Sequence, residues 1–359
     1  MKIALITDTH FGARNDSLAF NEHFYKFWED VFFPYLEKHN IKTVIHLGDV
    51  MDRRKFISYK ILNDFRERFI KRFVDMGITV HAIVGNHDTY FRNTNDVNAL
   101  YELLGGPNEE KYPNIFSYDS GCTIEFGDGT DVFLLPWINV ENYESVMRKI
   151  QMTPSQVCMG HLEINGFEMH KGHFCEGGYP RDMFRKFDTV FSGHFHKKSD
   201  DGHIYYLGNT YQMTWSDHNE TKGFHIFDTA TRDLEYIQNP YKIFDKIYYD
   251  DTQTDYSTID VSQYEDKFIK LVVVNKKDLY KFDQFVDRLL AIRTHEVKIV
   301  EDFSELDASN VSDEIIENAQ DTTTLLERYI DELDVDIDKS RLKSTMRTLY
   351  LEASDLELW

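Results

Sequence analysis

Five short motifs, each directly behind a run of aliphatic and β-branched residues, constrain this 359-residue chain more than any other feature. They are Asp8-Thr9-His10, Gly48-Asp49 with Asp52 three residues on, Gly85-Asn86-His87-Asp88, Gly160-His161 and Gly193-His194-Phe195-His196. The runs 2–7, 43–47, 79–84, 157–160 and 189–192 that precede them read as strands, and so do 132–135, 204–207 and 223–227. Stretches 21–39 and 58–76 read as helices, the second stopped by Gly77. Strands alternating with helices over residues 1–240 indicate an α/β domain in which helical layers cover sheets.

In sheet-based α/β domains, ligands gather at the carboxyl ends of the strands. Singly, each motif has a plain structural explanation: a Gly-Asp is usually a turn and a Gly-His usually nothing. Five strand ends that all finish in Asp, Asn or His are hard to attribute to loop composition. Glycines before these residues permit tight turns and close backbone approach, and His194 and His196, two apart in extended chain, share a face. Carboxylates, one amide oxygen and imidazoles together suit two first-row divalent ions, whereas an all-oxygen set would favour Mg²⁺ or Ca²⁺ and thiolates structural zinc. Two ions ~3.5–4 Å apart can share one carboxylate, activate water and clamp both oxygens of an in-line phosphoryl displacement. A histidine outside the ligand set can then protonate the leaving oxygen.

Past Asn239-Pro240 the pattern changes. A strand at 268–274, an amphipathic helix at 277–293 and a strand at 297–300 make a small β-α-β module, residues 241–303. Residues 304–359 carry two amphipathic helices, 311–333 and 339–351, that suit a docking element as well as packing on their own domain. The net charge is −22, and residues 301–338 account for −13 of it, with 14 acidic residues and Arg328. The acidity therefore argues only weakly against a nucleic-acid partner. No apolar run approaches the ~20 residues that cross a bilayer, and no membrane partner is expected. Three irregularly spaced cysteines point to a reduced, cytoplasmic protein, in the host cytoplasm if the chain is viral.

The ordered set D-x-H, G-D-x-x-D, G-N-H-D, G-H and G-H-x-H resembles the calcineurin-like metallophosphoesterase superfamily, and within it the SbcD-type double-strand-break repair nucleases, T-even-like phage members included. The resemblance implies a four-layer αββα sandwich with a small α+β cap domain and a C-terminal helix pair. It implies one metal on Asp8, His10, Asp49 and His196, and a second on Asp49, Asn86, His161 and His194, with Asp49 bridging and manganese as the ion. His87 would contact the scissile phosphate as general acid and Asp88 would orient it. Nucleases of the family often carry a histidine where this chain has Asp52. A carboxylate there repels phosphate, which bears on unaided exonuclease activity and leaves support of the Asp49 loop as its expected role.

The superfamily also holds phosphatases, so the site alone does not choose the substrate. Three features favour DNA: the cations Arg53, Arg54, Lys55, Lys197 and Lys198 beside the motifs, the module 241–303 as a DNA-contacting cap, and the tail 304–359 as a helix-loop-helix that docks on an SMC-like ABC-type ATPase. The first reading is an Mn²⁺-dependent DNA endo- and exonuclease, subunit of an ATPase–nuclease complex. The alternatives are a metallophosphatase acting on protein or small phosphomonoesters, and a non-catalytic scaffold, against which all eight candidate positions are chemically competent. The resemblance also implies a homodimer, with 58–76 or 95–104 as candidate surfaces. Tyr90, Phe91 and Arg92 read as structural, Pro136-Trp137 as a core turn, and His170 and His173 as surface residues.

Overall fold

The computed structural model describes residues 1–106, 111–170 and 173–301, together with five single helical positions, Ile330, Lys339, Leu342, Lys343 and Met346. The predicted tail helices otherwise lie outside the described residues. Two six-stranded sheets face one another. The first runs Leu234–Gln238, Gly223–Asp228, Lys2–Ile6, Thr43–His46, Thr79–Ile83, Ile115–Tyr118, the last four parallel. The second runs Ser199–Asp200, Ile204–Tyr206, Thr189–Gly193, Val157–His161, Asp131–Leu135, Cys122–Glu125, its central four parallel.

The period-2 alternation of side chains explains why the central strands are apolar throughout. In Lys2–Ile6, Ile3 and Leu5 join the core between the sheets, with Ile45, Leu47, Val157, Met159 and Phe191. Ala4 and Ile6 face the other way, into an aromatic core under the helices with Phe24, Phe27, Trp28, Phe69 and Phe73. Phe133, Leu135 and Cys158 likewise face helix Tyr143–Met152 across the second sheet, where Val146 and Ile150 are buried. Helix–sheet–sheet–helix layering follows, the αββα sandwich. The helix covering the first sheet runs over Leu18–Phe27 and Phe33–Lys38 with a π-helical turn at Trp28–Phe32, and Pro34, which lacks an N–H for the α ladder, sits just beyond that turn.

The small module has its own core: strands Phe244–Asp250, Phe268–Asn275 and Glu296–Val300 are all parallel, and helix Leu279–Ala291 buries Phe282, Phe285 and Leu289 against Ile247, Tyr249, Ile269 and Leu271. The first of these strands escapes the sequence reading because Lys246 and Asp250 break its apolar pattern. The module abuts the sandwich through Phe20, whose ring lies 5.1 Å from Phe268 and 5.8 Å from Phe244. Gln212 Oε1 also accepts hydrogen bonds from the Ile243 and Phe244 amides at 3.1 and 3.2 Å. Among the described residues, all three cysteines are free and no helix is long and apolar enough to cross a membrane.

Candidate metal centre

All five motifs leave parallel or central strands at one end of the two sheets, so the loops meet over the core. The pairing of the first two continues past their strands: Asp8 N donates to Gly48 O (3.0 Å), His10 N to Asp49 O (3.1 Å) and Phe11 N to Val50 O (2.9 Å). Asp8, His10, Asp49 and His194 all hold left-handed φ angles, +51°, +41°, +54° and +85°, strain of the kind that concentrates at functional sites. The glycines are there for space. A Cβ on Gly48 would lie 2.5 Å from His161 Nδ1, and one on Gly193 would run into the Thr7 side chain and lie 2.8 Å from Leu47 O.

The side chains converge in two clusters. In one, His10 Nε2 lies 3.1 Å from His196 Nε2 and 3.9 Å from Asp8 Oδ1, and His196 Nε2 lies 3.8 Å from the same Asp8 oxygen. In the other, His161 Nε2 stands 2.9 Å from Asn86 Oδ1 and 3.3 Å from Asp49 Oδ2, with His194 completing the group. Asp49 Oδ2 is also 3.7 Å from His10 Nε2, so one oxygen faces both clusters.

The protons on these rings indicate what the gaps accommodate. A carbonyl only accepts, so the Leu47 oxygen 2.7 Å from His161 Nδ1 fixes the proton there and turns the Nε2 lone pair toward Asn86 and Asp49, which are themselves acceptors. Asp52 Oδ1, 3.4 Å from His10 Nδ1, orients His10 in the same sense. Lone pairs facing carboxylates need a cation between them. The electrostatics agree: burial opposes charge on His10 and His161, yet Asp52 and Asp49 against the first, and Asp49 against the second, raise both to about 9. Asp49, despite burial, is held well below the carboxylate range by His161 and His87. Second partners on ligating imidazoles are the usual companions of metal sites, and the donor set fits two divalent ions.

Half-buried His87 lies beside the first cluster, its ring 4.8 Å from His10 and its amide donating to Asp49 Oδ1 at 2.8 Å. Its Nδ1–H is held at 2.6 Å by the backbone carbonyl of Asp52. The orienting task expected of Asp88 thus falls to the Asp52 peptide. The Asp88 carboxylate accepts instead from the Met51 and Gly85 amides at 3.0 and 2.9 Å, pinning two motif loops together. Burial, with the charge of Asp49, lifts Asp88 to about 7, and burial lowers His87. Asp52, read from the sequence as loop support, touches both histidines. No local signal announces this, since both contacts cross between loops.

The expected DNA-contacting cations have local partners. Arg53 binds Asn15 and Asp16 and stacks 4.4 Å from the Phe56 ring; Arg54 donates to Thr89 Oγ1 at 2.9 Å. Lys55 lies 5.8 Å from the Tyr90 ring centroid, Lys197 pairs with Glu168 at 2.5 Å, and Lys198 lies 3.9 Å from the centre of Tyr236. His173 is exposed. Trp137 departs from the expected core turn: its half-buried ring lies 5.2 Å from His194 and 6.2 Å from His161.

Comparison with known proteins places these features in a family. The chain is 34% identical over 324 residues to exonuclease subunit 1 of Enterobacteria phage T4, covering 89% of this chain and 90% of that one. Among solved structures, an archaeal phosphodiesterase is 18% identical with a TM-score of 0.33, covering 67% of this chain and 100% of its own. A purple acid phosphatase from yellow lupin seeds is 14% identical with a TM-score of 0.32, covering 67% of this chain and 46% of its own. Neither superposition is close enough to weigh in the reading. Residues 1–198 match the calcineurin-like phosphoesterase model, and with the likeness to the phage subunit over 89% of this chain this establishes that the chain belongs to the calcineurin-like phosphoesterase family and is a metal-dependent phosphoesterase.

Proposed function

We propose that this chain is a Mn²⁺-dependent DNA nuclease, the nuclease subunit of an ATPase–nuclease complex that processes DNA ends in recombination and double-strand-break repair. The observation that carries the reading is the shared Asp49 oxygen between two clusters of acceptors, in a chain alike over nearly its whole length to a phage exonuclease subunit. Asp8, His10, Asp49 and His196 would hold one ion and Asp49, Asn86, His161 and His194 the other. Two bound ions supply Lewis acidity for a water and for phosphate oxygens. The protein's own part is orientation and proton handling. Leu47 O and Asp52 hold the two ligand rings with Nε2 inward. The Asp52 carbonyl holds His87 by Nδ1, and its Nε2 would take up a proton as the negatively charged diester arrives and return it to the leaving oxygen.

The module 241–303 is proposed as the DNA-contacting cap, with Arg53, Arg54, Lys55, Lys197 and Lys198 at the rim. Exposed Phe56 and Tyr59, at the start of helix Tyr59–Asp64, support a homodimer surface there. The tail 304–359 is proposed to dock on an SMC-like ATPase: its deletion should abolish co-purification with that ATPase while metal-dependent cleavage survives. The decisive assay is Mn²⁺-dependent cleavage of linear and circular single-stranded and duplex DNA, with p-nitrophenyl phosphate alongside, for wild type, Asp49→Ala and His87→Ala. Loss of DNA cleavage in both variants, with little monoester turnover, supports the nuclease. Strong monoester turnover without DNA cleavage means a phosphatase.

A further inference from the structure

His10, His87 and His161 each have Nδ1 against an oxygen, of Asp52, the Asp52 peptide and Leu47 respectively. His194 differs. Among the described residues no hydrogen-bond partner meets either of its ring nitrogens, and its backbone holds φ +85°, where a side chain has little help from local geometry. What surrounds its imidazole is other rings: His161 at 5.2 Å, Phe195 at 5.0 Å and Trp137 at 5.2 Å between centroids. Phe195 is the next residue in the chain and moves with it. Trp137 follows strand Asp131–Leu135, two strands away in the same sheet, and is anchored independently.

That anchoring is unusually complete for a half-buried loop residue. The Trp137 amide donates to Val84 O at 2.8 Å, and its carbonyl accepts from both the Asn95 and Asn142 side-chain amides at 2.9 Å. Asn139 Nδ2 in turn donates to Asn95 Oδ1 at 2.9 Å. Asn95 follows Asn86 in the loop region behind strand Thr79–Ile83, so the clamp ties the indole to the segment that supplies another candidate ligand of the same cluster. Buried amide networks with every partner in place rigidify what they hold.

We propose that Trp137 is the positioning residue of the His161–His194 metal subsite, fixing the His194 imidazole by ring contact where the His87 and His161 rings are held by hydrogen bonds to backbone carbonyls and His10 by the Asp52 carboxylate. The inference rests on the two-metal reading above. It is tested on the full chain by calorimetric titration with Mn²⁺ and by intrinsic fluorescence, in wild type, Trp137→Phe and Trp137→Ala. Of the four tryptophans, at 28, 137, 215 and 359, Trp137 should carry the saturable quenching by paramagnetic Mn²⁺. That quenching should vanish in Trp137→Phe while both ions still bind, because phenylalanine preserves the ring contact. Trp137→Ala should bind one ion as wild type does and the other roughly 10–100-fold more weakly, the usual scale for removing a ligand's support. Trp137→Leu serves in its place if the alanine variant does not fold. Two ions bound with wild-type affinities in the truncated variant, or unchanged quenching in Trp137→Phe, overturn the assignment. Fewer than two ions in wild type overturn both it and the two-metal reading.

Discussion

Gly48 separates two effects that glycine substitutions usually mix. Its φ is +90°, and a Cβ there would lie 2.5 Å from His161 Nδ1 and 2.9 Å from Gly85 Cα, against the 3.4 Å at which ordinary contact begins. Gly77, which ends helix Lys71–Asp75, also has positive φ, +60°, but a Cβ there would meet nothing within 4 Å. Gly77→Ala therefore measures backbone strain alone, about 1–2 kcal/mol. Gly48→Ala adds crowding of about 1–3 kcal/mol, because the His161 ring or the Gly85 backbone must yield by nearly an ångström. The ring cannot yield without breaking its 2.7 Å bond to Leu47 O, which sets the direction of Nε2. A misplacement of about 1 Å in such a site costs roughly 10²-fold in rate. Urea unfolding, Mn²⁺ calorimetry and DNA cleavage on the two variants give the comparison: Gly77→Ala should bind and cleave as wild type, and Gly48→Ala should be the less stable and bind Mn²⁺ at least tenfold more weakly. Equal stability of the two variants, with Mn²⁺ binding within twofold of wild type in Gly48→Ala, refutes the claim that this glycine exists to let His161 approach.

Asp52→Asn removes the charge against His10 Nδ1 but keeps the peptide carbonyl that holds His87, so Mn²⁺ affinity should fall roughly 10–100-fold while turnover at saturating Mn²⁺ changes far less; a selective loss of turnover would show that the carboxylate acts on His87 instead. His87→Ala should do the reverse, lowering turnover about 10²–10⁴-fold with Mn²⁺ calorimetry unchanged. Burial, with Lys198 nearby, lowers His225 to about 3, so the unfolded chain takes up this proton near pH 6.5 and the folded chain does not. Its contribution to stability is therefore full above pH 6.5 and lost as pH falls toward 3. Between pH 7 and 5.5 the unfolding free energy of a His225→Gln variant should fall by about 1 kcal/mol less than that of wild type, and parallel pH profiles for the two would contradict the buried neutral state.

Much of this was legible in the residues themselves. Strands such as Val157–His161 and Thr189–Gly193 declare themselves because both faces are buried, and the glycines and ligands that follow lie in the same few residues of chain. The helix 58–76 is marked in the sequence by its stop at Gly77, and the structure adds a cap at its start, the Ser58 hydroxyl accepting from the Ile61 amide. Strand Phe244–Asp250 and the edge strands were not legible, because a strand that packs one face or borders solvent carries polar residues that blur its period.

The sequence by itself determined which chemical groups stand at the strand ends, since a strand–glycine–ligand motif is local and its residue types dictate the metal chemistry. Only the tertiary structure decided how those groups are held. It put the Asp52 peptide rather than Asp88 on His87, set the Asp52 carboxylate on His10, and brought Trp137 from a presumed core turn onto His194. Each of these contacts joins loops that only the order of strands in the sheets brings together, from adjacent strands for Asp52 with His10 and His87 and from strands two apart for Trp137 with His194, and the spacing of residues along the chain carries no record of which side chain crosses that gap.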